Sequence, residues 1–403
     1  MQKKLGVERG LDALVVFASP AHQGDVLAKE LRCLAEARCA IFGSTSCQSV
    51  MGSGFSGRVL GQRDGGQKGT VEWNSLELFG ISDPSGVYAA CSTGDIEEGG
   101  MEGIRERTKG AVASARRNAM QEEVHGMGEA PRVVLLAAPV GQEERVLRGI
   151  TEASGGTPVF GGSAADDDLS GRWWQLMSGD TVALSGAAML LLWPSVGTFI
   201  QLSLLYKDAQ GSGKVTALRR GDPRETMEIN GEPATSVYNR WCGGAFDAEL
   251  AECEREGAPD AISVVAKSVN FPLGQRPTAL AEYVSLVHPL HLRPGGAISV
   301  GSNVGESGTI ECMSSSTTQL VESVPATMRS LVVTSDFRDG DGAELFGGLV
   351  IYCGGMRMRV GECIDEVAHT IDNAFDGVPW AGHFTFGEQG PGHKQGRLSA
   401  ALS

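Results

Sequence analysis

The chain has 403 residues, a formal net charge of −15 and a hydrophobic content of 41%, which is enough for two or three domains with a sizeable core. The acidic excess opposes binding to phosphate backbones, and an aromatic content of 6% is low for a surface that stacks single-stranded bases, so no nucleic-acid role is expected. None of the 9 cysteines has C-x-x-C spacing, which favours free thiols in a reducing compartment and no zinc site. We therefore expect a cytoplasmic protein.

The chain also shows no sign of a membrane segment. A strand is predicted almost at the N-terminus, which leaves no room for a signal peptide. The most apolar stretch, residues 187–206, is interrupted by Pro194 and Gly197. This pattern predicts two buried strands joined by a turn and no membrane span.

Three strand–helix–strand units are predicted along the chain. Their second strands end in Phe42-Gly43, Phe160-Gly161 and Phe386-Gly387. If the two strands of each unit are parallel, their carboxyl ends meet at one sheet edge, where open α/β sheets bind ligands. Glycine at such an edge would let the backbone approach a ligand closely. The units are 12–19, 23–38 and 39–42; 132–139, 142–153 and 158–161; and 349–353, a helix from Gly361 to Gly377, and 381–388.

The third helix has the clearest periodicity. Its apolar positions follow i, i+3, i+4, i+7 spacing from Ile364 to Phe375, and acidic residues occupy its first turns. Antiparallel strands are predicted between residues 173 and 219, followed by a turn at 221–223. We predict a mixed α/β fold in two domains, 1–224 and 225–403, with mixed sheets built from strand–helix–strand units and antiparallel strands.

Two motifs resemble binding sites without meeting their structural requirements. Residues 52–57 match G-x-G-x-x-G, but the segment that follows is too rich in glycine for the helix that a dinucleotide site needs. The acidic triplet 166–168 could hold a divalent ion, although a solvated turn is the commoner use of such a triplet. No metal site is predicted.

Cys353 ends an apolar strand at the expected ligand edge. With His383 or Glu388 as its base it could act as a nucleophile, whereas the alternative is a buried core thiol. Glu388 is a charged group on a strand-end loop between Gly387 and Gly390. Packing alone does not explain why a charged side chain is found in such a loop. Glu388 is therefore a candidate ligand contact.

The residues in this order resemble the FIST family, whose name abbreviates F-box and intracellular signal transduction. Residues 160–167 resemble its Gly-Gly-Ser-Ala-x-Asp segment, and residues 228–234 resemble the opening of its C-terminal domain. Residues 349–355 and 381–391 resemble its C-terminal half, and residues 15–19 resemble its first strand. Together these segments span nearly the whole chain.

This resemblance implies a FIST N-terminal domain, a FIST C-terminal domain and a sensory role with small ligands such as amino acids. Some bacterial relatives are haem sensors, so haem is a further possibility, and some eukaryotic relatives carry an F-box and recruit protein partners. The family's Gly-Cys-Ser is Gly43-Ser44-Thr45 here, and the arginine of its Cys-x-Gly-Arg is displaced to Arg357. The ligand can therefore differ from that of the relatives.

The leading hypothesis is a non-enzymatic sensor that binds a small ligand, and the alternatives are a protein-binding adaptor and a thiol enzyme that uses Cys353. No catalytic residue is predicted for the leading hypothesis. Ligand contacts are expected from the strand ends, namely Ser19, His22, Gly43, Ser44, Gly161, Gly162, Ser163, Asp166, Cys353, Gly354, His383, Gly387 and Glu388.

Overall fold

The structure, a computed structural model, divides into two compact units. The first takes residues within Met1–Leu202, Val324–Arg357 and Glu362–Ala400, and the second takes Ser203–Ser323, Met358–Gly361 and Ala401–Ser403. The structure describes residues 10–35, 38–53, 70–94, 100–121, 130–176, 182–276, 284–306, 308–334, 345–391 and 400–402. Most of the glycine-rich motif at 52–57 lies outside these ranges.

Helices and strands are interspersed along the whole of the described chain. The helices are α1 (Gly24–Leu34), α2 (Gly100–Gln121), α3 (Glu143–Ser154), α4 (Ala234–Trp241), α5 (Asp247–Cys253), α6 (Val265–Ser268), α7 (Thr317–Thr334), α8 (Gly354–Val360) and α9 (Ile364–Phe375), with a 3-10 turn at Gly361–Cys363. The strands are β1 (Ala13–Ala18), β2 (Ala40–Thr45), β3 (Ser49–Gly52), β4 (Thr70–Trp73), β5 (Leu76–Ile81), β6 (Val87–Ser92), β7 (Val133–Ala138), β8 (Val159–Ser163), β9 (Gln175–Leu176), β10 (Val182–Ala183), β11 (Ala188–Trp193), β12 (Asp208–Arg219), β13 (Asp222–Ile229), β14 (Glu232–Pro233), β15 (Ile262–Ser263), β16 (Leu273–Arg276), β17 (Ser285–Val287), β18 (Pro289–Arg293), β19 (Ala297–Val300), β20 (Thr309–Ser314), β21 (Gly348–Cys353), β22 (Trp380–Thr385), β23 (Glu388–Pro391) and β24 (Ala400–Leu402).

The first unit contains three sheets, and each is built around one predicted strand–helix–strand unit. One sheet has the order β10-β9-β2-β1-β5, another contains β23-β8-β7-β11-β6, and the third is β21-β22-β3-β4. The pairs β1/β2, β7/β8 and β21/β22 are all parallel. The predicted parallel crossovers and the mixed α/β fold are therefore confirmed.

The alternation of side chains explains how two of these sheets stack. On β1, Val15 and Phe17 pack towards Leu135 of β7, whereas Leu14 packs towards Leu31 of α1. The opposite face of β7 packs against α2 and α3. Because both faces of β1 and β7 are buried, these strands are continuous apolar runs, as expected for strands inside a layered α/β structure.

The third strand–helix–strand unit lies in the same compact unit as the other two. Its strand β22 pairs antiparallel with β3, where His383 lies opposite Val50 and Ala381 lies opposite Gly52. The compact units thus follow a different division from the predicted domains, and the boundary predicted at 224/225 falls inside β13. Helix α8, which was not predicted, directly follows β21.

The second unit is organised around a nine-stranded sheet with the order β15-β18-β19-β13-β12-β20-β16-β17, and β14 pairs with β13. Its core includes Val215, Ile229 and Ile298, on which Val237 and Tyr238 of α4 pack. The strong antiparallel β12/β13 hairpin turns at Arg220 and Gly221, where Gly221 has a φ of 80°.

The apolar stretch at 187–206 forms one strand only. Residues 188–193 make β11, whereas residues 198–205 have no regular structure, so the predicted second strand is wrong. Pro194 ends the strand, because a proline donates no backbone hydrogen bond to a neighbouring strand. Within the described ranges, no helix combines the length and the apolar character that crossing a bilayer requires.

Candidate functional site

The carboxyl ends of β2, β8 and β22 meet in the first unit. The amide of Ala165 donates to the carbonyl of Thr45 at 3.2 Å, and the amide of Phe386 donates to the carbonyl of Ser163 at 3.1 Å. In return, the Ser163 amide donates to the carbonyl of Gly387 at 2.9 Å. The end of β21 lies here too, since Cys353 pairs with Thr385. We call residues 43–47, 161–166, 352–357 and 383–389 the strand-end junction. All three predicted Phe-Gly strand ends thus converge in one place.

The glycines at the junction serve the packing of neighbouring strands. A Cβ atom on Gly43 would meet the carbonyl oxygen of Val16, and one on Gly161 would meet that of Leu136. A Cβ atom on Gly162 would meet the side chain of Thr385. The position that a Cβ atom would take at each of these glycines is filled by protein, so strand packing is enough to explain them, and their predicted contact with a ligand stays a prediction.

Gly387 and Gly354 have different requirements. Gly387 has a φ of 145°, which side chains rarely adopt. Its carbonyl accepts hydrogen bonds from the Ser163 amide and from Nε2 of Gln389 at 2.8 Å. Gly354 begins α8, and a Cβ atom there would lie 3.1 Å from the carbonyl oxygen of Thr385.

His383 is buried and neutral. Its ring is stacked on Phe17 with centroids 3.8 Å apart, and Nδ1 lies 3.3 Å from Oγ of Ser44. Burial lowers its pKa to about 3, because an apolar surrounding disfavours the charged imidazolium. Two of the predicted site residues, Ser44 and His383, are therefore brought together from distant parts of the chain.

A buried network of side-chain hydrogen bonds connects Glu143, Ser163 and Gln389. Ser163 donates to Oε1 of Glu143 at 2.8 Å, and Nε2 of Gln389 lies 3.3 Å from Oγ of Ser163. Gln389 is 1% exposed, yet its Oε1 has no hydrogen-bond partner within the described structure. Both Glu143 and Gln389 were missed from the sequence, although Gln389 is next to the predicted Glu388.

Cys353 and Glu388 interact across the same junction. Thr385 donates to Oε1 of Glu388 at 2.6 Å, and Glu388 is 4% exposed. Burial raises the pKa of the Cys353 thiol well above its ordinary value, and the negative charge of Glu388 raises it further. The Cys353 thiol is therefore protonated at neutral pH, which disfavours its use as a nucleophile.

The carboxylate of Asp166 organises its own loop. It accepts hydrogen bonds from the amides of Leu169 and Arg172, at 2.6 Å and 2.8 Å, and from Oγ of Ser170 at 3.3 Å. The side chain is 0% exposed. Because these bonds engage both carboxylate oxygens, Asp166 holds its own loop in place, and its predicted contact with a ligand stays a prediction.

We expect Asp166→Ala to lower the free energy of unfolding by about 1.5 kcal/mol, because four donors of the loop 168–172 lose the carboxylate of the buried Asp166 as their acceptor. Asp168→Ala is the matched control. It removes the exposed contacts of Asp168 with Arg172 and with the Ser170 amide, so its effect on the free energy of unfolding should be much smaller. Urea unfolding measures both values, and faster tryptic cleavage after Arg172 in the Asp166 variant would report the loosened loop. Equal effects of the two substitutions would contradict this role of Asp166.

Ser19 and His22 lie at the carboxyl end of β1. Oγ of Ser19 lies 3.4 Å from Oδ1 of Asn74 and accepts from the amide of Ala21 at 3.2 Å. The carbonyl of His22 accepts from Nε1 of Trp174 at 3.1 Å. These bonds hold the turn into α1, outside the junction. The buried Nε2 of His22 has no hydrogen-bond partner among the described residues, and the predicted ligand contacts of Ser19 and His22 stay predictions.

Comparison with known families decides the identity of the chain. The family model for the FIST N domain matches residues 12–232, and the model for the FIST C domain matches residues 234–391. The chain belongs to the FIST family. FIST domains are associated with sensory roles in signal transduction. A search of curated proteins found no match.

The FIST resemblance raised haem as a possible cofactor, and the junction does not fit it. Its strand ends are joined directly by backbone hydrogen bonds, and one face of the buried His383 ring is covered by Phe17. Among the described residues, no group of three or more His, Cys, Asp or Glu side chains could hold a metal ion.

Proposed function

We propose that this FIST protein is a non-enzymatic sensor that binds a small polar ligand, such as an amino acid, at the strand-end junction. The supporting observation is a pair of buried polar atoms without a hydrogen-bond partner in the described structure, Oε1 of Gln389 and Oη of Tyr352. Tyr352 is 7% exposed and Gln389 is 1% exposed. Leaving such an atom unsatisfied costs about 1–3 kcal/mol, so each calls for an explanation, and a bound ligand supplies one.

The charges around the junction suit a ligand that carries both signs. Glu388 is a buried carboxylate of the junction, Glu143 is a buried carboxylate that accepts from Ser163, and Arg357 is a buried guanidinium that is 5% exposed. Burial lowers the pKa of Arg357 from its ordinary value, while the nearby Asp365 opposes that change. An amino acid offers an ammonium group to the carboxylates and a carboxylate to the guanidinium, so its charges complement these groups.

The chemistry of the thiol supports a binding role over catalysis. Cys353 would need to be deprotonated, whereas its pKa is raised. His383 is a poor base because its pKa is about 3. The adaptor hypothesis and its protein partner stay predictions.

The direct test is calorimetry and thermal unfolding of the full chain with each common amino acid. At least one should bind saturably and raise the melting temperature. Glu388→Gln should weaken that binding by about tenfold or more, because a bond between two charged groups is lost. The matched control is Glu366→Gln on the exposed face of α9, which should leave affinity unchanged. Folded protein that binds no amino acid would refute the amino-acid proposal.

A further inference from the structure

Two cysteine side chains lie in contact in the core of the second unit. Sγ of Cys242 lies 3.8 Å from Sγ of Cys312, although the two residues are 70 positions apart in the chain. We propose that this pair forms a reversible disulfide when the protein meets a peroxide, which gives the second unit a redox-sensitive cross-link. The proposal goes beyond the sensor function and does not depend on a ligand at the strand-end junction.

The fold of the second unit explains why the two residues meet. Cys312 lies on β20, where it pairs with Gly211 of β12 on one side and with Leu273 of β16 on the other. Cys242 directly follows α4. Its neighbour Trp241 packs on Gly211, since a Cβ atom at that glycine would meet the indole ring. The end of α4 therefore lies over the part of the sheet that carries Cys312.

The two sulfurs need only a small movement to form a bond. A disulfide holds its sulfurs about 2.0 Å apart, so the present contact of 3.8 Å must close by about 1.8 Å. Cys312 is fixed between two strands, whereas Cys242 is followed by Gly243 at a φ of 65°. Nothing lies within 4 Å of the position that a Cβ atom of Gly243 would take. The backbone after Cys242 is thus loosely packed, and the movement is expected there.

Cys242 is the sulfur that a small oxidant reaches first, since it is 7% exposed and Cys312 is 0% exposed. The hydrogen bond with Cys312 and burial raise the pKa of the Cys242 thiol, and a hydrogen bond with the Tyr238 side chain opposes that rise. The reactive thiolate is therefore scarce at neutral pH. The cross-link should form slowly and report sustained exposure to peroxide.

The reaction needs hydrogen peroxide as its oxidant and no other co-reactant. The thiolate of Cys242 attacks one peroxide oxygen and the O–O bond breaks, which leaves a sulfenic acid on Cys242 and a hydroxide that becomes water with the proton of the thiol. The sulfur of Cys312 then gives up its proton and attacks the sulfur of Cys242. The S–S bond forms, the S–O bond breaks, and a second water leaves. The two sulfurs together lose two electrons, which the peroxide gains.

The experiment uses the full chain with Cys33→Ser, because Cys33 is exposed and would react separately. The protein is incubated with hydrogen peroxide, its remaining thiols are alkylated, and it is digested without reduction by a protease that cleaves after glutamate. This protease separates Cys242 from Cys253, since glutamates lie between them. We expect mass spectrometry to find a peptide that joins Cys242 to Cys312 and that dithiothreitol splits.

Cys253→Ser is the matched control, because Cys253 belongs to the same core and is also 7% exposed. It should leave the cross-link unchanged, whereas Cys242→Ser and Cys312→Ser should each abolish it. The oxidised protein should unfold at a higher urea concentration than the reduced protein, since the disulfide closes a loop of about 70 residues in the unfolded chain. Cys242→Ser should lose this shift.

Three results would overturn the inference. They are folded protein that gives no joined peptide after prolonged oxidation, oxygen added to Cys242 without a cross-link, and a cross-link that forms only after unfolding in urea. If Cys312→Ser fails to fold, Cys312→Ala replaces it and should abolish the joined peptide in the same way. Amino-acid binding is measured separately, so its failure would leave the cross-link standing, and a missing cross-link would leave the proposed function standing.

Discussion

Replacing Gly161 by alanine is expected to lower the free energy of unfolding of the first unit by about 3 kcal/mol or more. The added Cβ atom would meet the carbonyl oxygen of Leu136 on the neighbouring strand β7. That oxygen belongs to the backbone and cannot rotate away as a side chain could. The clash is therefore relieved only if the two central parallel strands, β7 and β8, move apart. The movement would disturb the junction as well, because Ser163 lies two residues further along β8.

Gly110→Ala is the matched control for this substitution. Gly110 is exposed in the middle of α2, and nothing lies within 4 Å of the position that its Cβ would take. Alanine there should stabilise the protein by about 0.5–1 kcal/mol, since it favours the helix and restricts the unfolded chain. Urea unfolding followed by tryptophan fluorescence compares the two variants. A neutral Gly161→Ala would show that the close packing of β7 and β8 is wrongly described.

Acidification from about pH 7 to about pH 5 is expected to remove about 2 kcal/mol of stability through His383 alone. The pKa of this buried imidazole is about 3 in the folded protein, against 6.5 for an ordinary histidine. Below about pH 6.5 the unfolded chain therefore binds a proton that the folded chain excludes, and protonation favours unfolding. The loss continues as the pH falls and ends once the folded protein also binds the proton.

The measurement is the free energy of unfolding as a function of pH for the wild type and for His383→Gln. Glutamine keeps a polar group near Ser44 and does not titrate, so its variant should lose less stability on acidification. Each protein gives a slope of the free energy of unfolding against pH. The difference between the two slopes is the contribution of His383, because every other titrating group is present in both proteins. Above about pH 7 the two proteins should show parallel curves, which serves as the internal control. Equal slopes below about pH 6.5 would mean that His383 is not buried as described.

The local elements could be predicted because their signals are local. The helix after Gly361 was expected from its apolar spacing, and α9 buries Ile364, Val367 and Ile371 as that spacing requires. Its end differs slightly from the predicted end at Gly377, since the helix stops at Phe375 and Asp376 takes the left-handed position with a φ of 45°. Helix α8 escaped prediction because Gly354 and Gly355 favour a turn.

The candidate site was predicted in part. Strand-end reasoning selected Ser44, Ser163, His383 and Glu388, and the structure gathers them at one junction. It could not select Glu143, Tyr352 or Gln389. A tyrosine in an apolar strand is an ordinary core residue in sequence, and its importance here depends on a hydroxyl that finds no acceptor.

The sequence by itself determined the three parallel strand pairs, the helices between most of them and the membership of the FIST family. Each depends on spacing within about 40 residues, or on motifs in a fixed order. Only the tertiary structure decided that the third pair joins the first two, because that depends on the pairing of β22 with β3, more than 300 residues apart in the chain. Contacts at such separation leave no periodic signal in the sequence. They are specified by complementary packing, including the glycines that let β7 and β8 approach each other, and they turn three separate strand ends into one site.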